Sequence, residues 1–179
     1  MGVSWYEYRA QADAAYFVTV MLEDGQYSTP INAAVVGYSN EATMVFNFTQ
    51  RFDYSLLVKG RDEFYLQDKS DRRQRIDKAL TFTSKYVFAS TAQDIPKIAI
   101  LFAFTEHLQP GFPLGKASES LRQKGVRILV VEVNYINRTK ELLSITNRED
   151  DLVHITSFFE LVHILDYLAS KVLEAIGKY

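Results

Sequence analysis

Residues 95–133 constrain the fold more than any other part of the chain, because two continuous apolar runs flank a helical stretch. The first run, Lys97-Ile-Ala-Ile-Leu-Phe-Ala-Phe104, follows Pro96 and is too short for an independent helix, so it predicts a strand covered on both faces. The second, Val126-Arg-Ile-Leu-Val-Val-Glu-Val133, is entered from a helix ending at Lys124-Gly125, with Gly125 supplying a left-handed C-cap. Together these segments form a βαβ unit. Ligands of open α/β sheets sit beyond the carboxyl ends of such strands, which directs attention to Phe104-Thr105-Glu106-His107. That segment is apolar at Phe104, where a metal-binding or catalytic acid is expected.

The chain has 179 residues and is 47% hydrophobic, which suits one domain over 1–179 able to bury its own core. A net charge of −2 with interspersed signs excludes the basic footprint of a nucleic-acid binder and leaves no polybasic membrane patch. No apolar run is long enough to span a bilayer, so no membrane insertion is expected. With no cysteine, disulfides, thiolate zinc sites and cysteine nucleophiles drop out. Two glycosylation sequons occur, at Asn47-Phe-Thr49 and Asn137-Arg-Thr139.

Along the chain, Trp5 to about Leu22 reads as a helix, Ile31–Tyr38 and Ala42–Phe48 as a hairpin turning at Ser39-Asn40-Glu41, and 54–66 as a weaker helix. A clearer helix covers about 71–88 with Ile76, Leu80 and Val87 buried. A short helix over 140–145 and a brief strand, Leu152–Ile155, follow the βαβ unit. Ser157-Phe-Phe-Glu160 then reads as a capping box opening a long amphipathic helix. The ordering predicts a doubly wound, mostly parallel α/β sheet with one antiparallel edge hairpin and helices on both faces.

These segments resemble a von Willebrand factor A domain of the matrix and adhesion type. The resemblance is carried by Ile31–Tyr38 with Ser39-Asn40-Glu41, by Lys97–Ala103, by Ser120–Val133, and by Glu141-Leu-Leu-Ser-Ile-Thr with Val153–Leu161. It implies a Rossmann-like fold, a non-enzymatic role, a protein partner in the matrix or on a cell surface, and an extracellular location. Metal-binding members hold an ion with three sequence pieces that supply hard oxygen ligands. The first, Asp-x-Ser-x-Ser, is absent here. Met1-Gly2-Val3-Ser4-Trp5 resembles the continuation of that motif, so the chain is expected to begin just after it, N-terminally incomplete and without the family's central first strand. Self-association through the unpaired strand edges is a corollary. The second piece, a threonine, aligns near Gln74, and the third, an aspartate, with Phe104; slips of one or two residues would place Thr105 or Glu106 there. The resemblance therefore implies a degenerate site with no metal and no cofactor.

The leading expectation is a metal-independent binding module whose rim comprises Arg72, Arg73, Arg75, Phe104, Glu106, His107 and Phe112. Against it stand a spacer or truncated fragment without binding activity, and a solvated helix start as the ordinary role of the arginines. A nucleotide-binding enzyme is the remote alternative, because Gly111-Phe-Pro-Leu-Gly115-Lys116-Ala-Ser118 partly matches a phosphate loop. Its glycines are one residue too close, Pro113 removes an amide, and Ala117 stands at the magnesium-ligand position. His107, His154 and His163 have no spacing of a ligand set and are expected as ordinary core or surface residues, and Glu149-Asp150-Asp151 as a solvated loop.

Overall fold

The computed structural model describes residues 5–23, 32–48, 55, 59, 74–89, 91, 94–104, 108, 113–133, 139–146 and 148–177. The described helices are α1 (Trp5–Glu23), α2 (Ile76–Phe82), α3 (Leu114–Gln123), α4 (Thr139–Leu143) and α5 (Leu165–Ala175). The strands are β1 (Val35–Tyr38), β2 (Ala42–Phe46), β3 (Lys97–Phe104), β4 (Val126–Val133) and β5 (Leu152–Ile155). The weak helix expected over 54–66 lies almost entirely outside the described residues.

β3, β4 and β5 form a parallel sheet in that order, with Lys97 opposite Val126 and Glu132 opposite His154. Parallel neighbours require crossovers, and α3 supplies the first of them. It ends at Lys124, and Gly125 at φ +73° turns the chain into β4, as its sequence predicts. β1 and β2 pair antiparallel as a separate two-stranded sheet, Tyr38 opposite Ala42, with a bulge between Val35 and Val36. Both hairpin strands are shorter than the sequence implies.

Alternation along β4 sorts the core into two layers. Val126, Ile128 and Val130 face Ile76, Leu80, Leu114, Leu121, Leu142 and Ile145, so α2, α3 and α4 cover one side together with Val36, Tyr38 and Met44 of the hairpin. Leu129, Val131 and Val133 face Ala14, Val18, Leu22, Leu161, Leu168 and Leu173, so α1 and α5 cover the other. Helices thus lie on both faces, and Ile76, Leu80 and Val87 are buried as their periodicity predicts.

Two boundaries differ from the sequence reading. α2 loosens into a π turn over Thr83–Val87, where the Lys124 ammonium bonds the carbonyl oxygens of Ser84 and, at 3.2 Å, Phe88. The long C-terminal helix is preceded by a 3-10 segment, Phe158–Ile164. Ser157 makes no side-chain cap there; Glu160 instead accepts from the Thr156 backbone N–H at 3.0 Å and from the Thr156 hydroxyl.

Candidate functional site at the carboxyl rim of the sheet

Four described segments converge beyond the carboxyl ends of β1 and β3. The Arg75 N–H donates to the Ser39 carbonyl at 2.8 Å, Lys78 pairs with Glu41, and Gln74 forms a parallel bridge with Leu108. The Gln74 side-chain oxygen accepts the backbone N–H of Phe104 at 3.0 Å, and Gln74 is buried. The two positions that the sequence aligns with ion ligands are therefore neighbours.

They do not make an ion site. Phe104 supplies no oxygen, and its ring is 1% exposed, packed in the layer with Ala14, Leu129 and Leu168. The acceptor oxygen of Gln74 is committed to the Phe104 amide, and an uncharged amide compensates poorly for dehydrating a divalent ion. Among the described residues, no three His, Cys, Asp or Glu side chains are grouped as a metal would need. Among the described residues, these two positions supply no donor set that fits the family's ion.

Phe104 as a partner contact is also corrected: at the end of an apolar strand, its side chain packs against the layer of α1 and α5 and is buried there, although Ile98, Ile100 and Phe102 before it are only partly covered. Arg75 keeps a partly accessible guanidinium, 18% exposed, gripped by Asp77 at 2.8 and 2.7 Å. That fork holds the Asp77 carboxyl below its ordinary range, the hydrogen bonds being the main cause. Asn47 is exposed just after β2. Arg72, Arg73, Glu106, His107, Phe112 and Asn137 lie outside the described residues.

The rim also holds a carboxylate that the sequence reading passed over. Glu132, near the end of β4, is fully buried on the face of Val130, and the half-exposed imidazole of His154 brings Nδ1 within 2.5 Å of its Oε2. Burial raises the Glu132 pKa, opposed by the neighbouring imidazole. The available signal was an acid in the apolar second half of the strand, Val-Val-Glu132-Val.

The glycine-rich segment does not form a phosphate cradle in its described part. Gly115 lies inside α3, and its carbonyl accepts from the Ser118 hydroxyl and from Arg122, each at 2.9 Å. The Ser118 hydroxyl, one residue beyond the position where a phosphate loop would present a magnesium ligand, is buried and accepts from Arg122 at 2.6 Å. Asp151 is corrected too: it is 1% exposed and forked by Arg127, not part of a solvated loop.

The family model of the von Willebrand factor type A domain matches residues 11–166. Among solved structures, proximal thread matrix protein 1 from the mussel byssus superposes with a TM-score of 0.70 at 20% identity, covering 90% of this chain and 41% of that one. The von Willebrand factor type A protein from Catenulispora acidiphila gives 0.63 at 20% identity, covering 96% and 40%. The pilus adhesin SpaC from Lactobacillus rhamnosus GG gives 0.67 at 11% identity, covering 96% and 28%. The chain spans less than half the length of each of these structures. No curated protein sequence matches it significantly. A family match over most of the chain, on a parallel sheet layered between helices, places the chain in the von Willebrand factor type A domain family.

Proposed function

We propose that this chain is a metal-independent protein-binding module of the extracellular matrix or adhesion type, engaging its partner through the carboxyl rim of the sheet. Domains of this family typically mediate protein–protein interactions, and those of matrix proteins are generally non-enzymatic. The single observation carrying the metal-independent part is the Gln74–Phe104 hydrogen bond, which joins two ion-ligand positions through groups that no longer serve an ion. The rim contacts are Arg72, Arg73, Arg75, Glu106, His107 and Phe112, with Phe104 acting only as the buried floor. Arginine and aromatic side chains dominate interface energetics, which favours this set over the acidic loops elsewhere.

The extracellular assignment is supported by the kind of protein among the structural neighbours, a thread matrix protein and a pilus adhesin. Exposure of Asn47 keeps the first sequon accessible for a glycan. No described helix is long and apolar enough to cross a membrane.

The test is capture from a matrix or cell-surface extract in calcium- and magnesium-free buffer containing chelator, comparing the parent with Phe112→Ala and Arg73→Glu. The proposal expects a partner retained under chelation and lost with either variant. Retention of every partner by both folded variants removes the rim as the site, and absence of any partner leaves a spacer.

A further inference from the structure

Glu132 and His154 stand opposite each other in the second-last row of β4 and β5, and Ala103 of β3 completes that row. The last row is Phe104, Val133 and Ile155, its first member clamped by Gln74. The acid and the imidazole therefore lie one residue behind the carboxyl rim. They meet water very differently: the Glu132 side chain has no exposure, whereas the His154 side chain is 40% exposed. Nδ1 of His154 is 2.5 Å from Oε2, yet neither carboxylate oxygen has a well-directed hydrogen-bond donor among the described residues.

A carboxyl group so placed is accommodated far better with its proton than without it. The surrounding elements offer little relief to the ionised form. β3 presents only Ala103, and the layer over this face is built from apolar side chains of α2, α3 and α4. The charged groups on those helices are engaged elsewhere: Asp77 with Arg75, Lys78 with Glu41, and Arg122 with the carbonyl oxygens of Gly115, Ser144 and Ile145. Lys116, Glu119, Lys140 and Glu141 are exposed. Among the described residues, His154 is the one charged side chain that acts on Glu132.

Once ionised, the carboxylate gains most by reaching water, and the topology provides a short way out. β5 has four residues and, among the described strands, pairs with β4 alone. Its flanks are anchored separately, Asp151 by Arg127 and Thr156 by Glu160. The end of β5 can thus part from β4 while the strand stays attached to the domain, a local opening of the kind that short edge elements undergo.

We propose that the Glu132–His154 pair is a proton-operated latch on the carboxyl corner of the sheet, holding the last two rows of β4 and β5 closed with its proton and releasing them without it. The half-exposed imidazole is the route by which the solvent proton reaches the buried acid. The latch works with no partner bound, so it stands apart from the protein-binding reading, and it gives the rim two arrangements that pH selects.

Hydrogen exchange of the full chain between about pH 4.5 and 8, corrected for the intrinsic pH dependence of amide exchange, reads the latch directly. The opening equilibrium of the amides that pair Glu132 and Val133 with His154 and Ile155 should rise by up to about tenfold per pH unit above the ordinary carboxyl value of about 4.3, then level off. These amides should exchange at least about tenfold faster than those pairing Lys97–Ala99 with Val126–Ile128, which require global unfolding. Glu132→Gln, neutral at every pH, should remove the slope. His154→Phe, which deletes the imidazole that opposes burial, should carry the slope to higher pH before it levels off. Phe112→Ala and Arg73→Glu should leave the profile unchanged, so failure at the rim and failure of the latch are read separately. A flat profile in the parent, corner amides that open no faster than the rest of the sheet, or a slope that persists in Glu132→Gln overturns the proposal. The first two outcomes need no variant to fold.

Discussion

His154 places Nδ1 2.5 Å from Oε2 of Glu132, a carboxylate that is fully buried and accepts no well-directed hydrogen bond among the described residues. Burial, the larger influence, raises the Glu132 pKa, and the imidazole opposes it. The folded-state value therefore lies above the unfolded carboxyl value of about 4.3, so folding takes up a proton between the two. This contribution to stability is complete below that window, is lost as pH rises through the folded value, and is flat above it. Glu132→Gln should abolish the slope, so its stability relative to the parent should climb through the window and then level off. Urea midpoints between pH 4 and 8 give the difference curve. A constant difference across that range would show that Glu132 does not titrate as its burial requires.

Arg127 forks Asp151 with contacts of 2.6 and 3.1 Å, tying the start of β4 to the turn before β5, and reaches Glu174 on α5 at 3.3 Å. The Asp151 side chain has no exposure, so it cannot recover solvation when its cation is removed. Arg127→Met should cost about 3–5 kcal/mol, most of it from stranding a buried charge. Adding Asp151→Leu should recover much of that loss. Around this pair, Lys171 and Arg148 hold the exposed Asp150 carboxyl at about 2, the Lys171 hydrogen bond being the largest cause. Its stabilising contribution is present at neutral pH and lost only as pH falls toward that value. Arg148→Ala should accordingly matter far less than Arg127→Met, because solvent screens the outer pairs. Chemical denaturation at pH 7 would rank them, and equal losses would refute the distinction.

Gly115 is required by packing. A Cβ there would lie 3.3 Å from both the Cβ and the carbonyl oxygen of Ser144, so α3 approaches the end of α4 where only hydrogen fits comfortably. Alanine is the better helix former, by up to about 1 kcal/mol, but overpacking costs about 1–3 kcal/mol. Gly115→Ala should therefore destabilise by about 1 kcal/mol net, the difference of those two effects. Equilibrium unfolding of the single variant decides the sign, and a stabilised Gly115→Ala would mean that Ser144 yields without cost.

Elements whose signals are local were legible in the sequence. β3, β4 and β5 are continuous apolar runs bounded by Pro96, Gly125 and the turn at Asp151, and their limits match closely. The π turn of α2 was not legible, because its carbonyls are bonded by Lys124 from the far end of α3. The spacing from Ser157 to Glu160 is that of a capping box and predicts the C-terminal helix from there, whereas Glu160 turns back to Thr156 and the α-helix begins at Leu165. At the rim, Gln74 and Phe104 were each singled out, but their hydrogen bond joins residues 30 apart and follows from tertiary structure alone. The strand-end position of Phe104 points to the surface, but its place in an apolar run points to the core, and the fold follows the second signal.

The proposed metal independence, which rests on that same hydrogen bond, predicts the response to divalent cations. An ion at the family's position needs several hard oxygen ligands to compensate for its lost water. Here one position is an aromatic ring turned into the core, and the oxygen of the other already accepts a main-chain N–H. Magnesium, manganese and calcium should each leave the melting temperature unchanged, and EDTA should not lower it. Any specific ion that bound the folded state alone would raise the melting temperature saturably, with a midpoint on the order of micromolar to low millimolar for such sites. A rise of that kind, abolished by Gln74→Leu, would show that the Gln74 amide exchanges its main-chain partner for an ion, and would overturn the metal-independent reading.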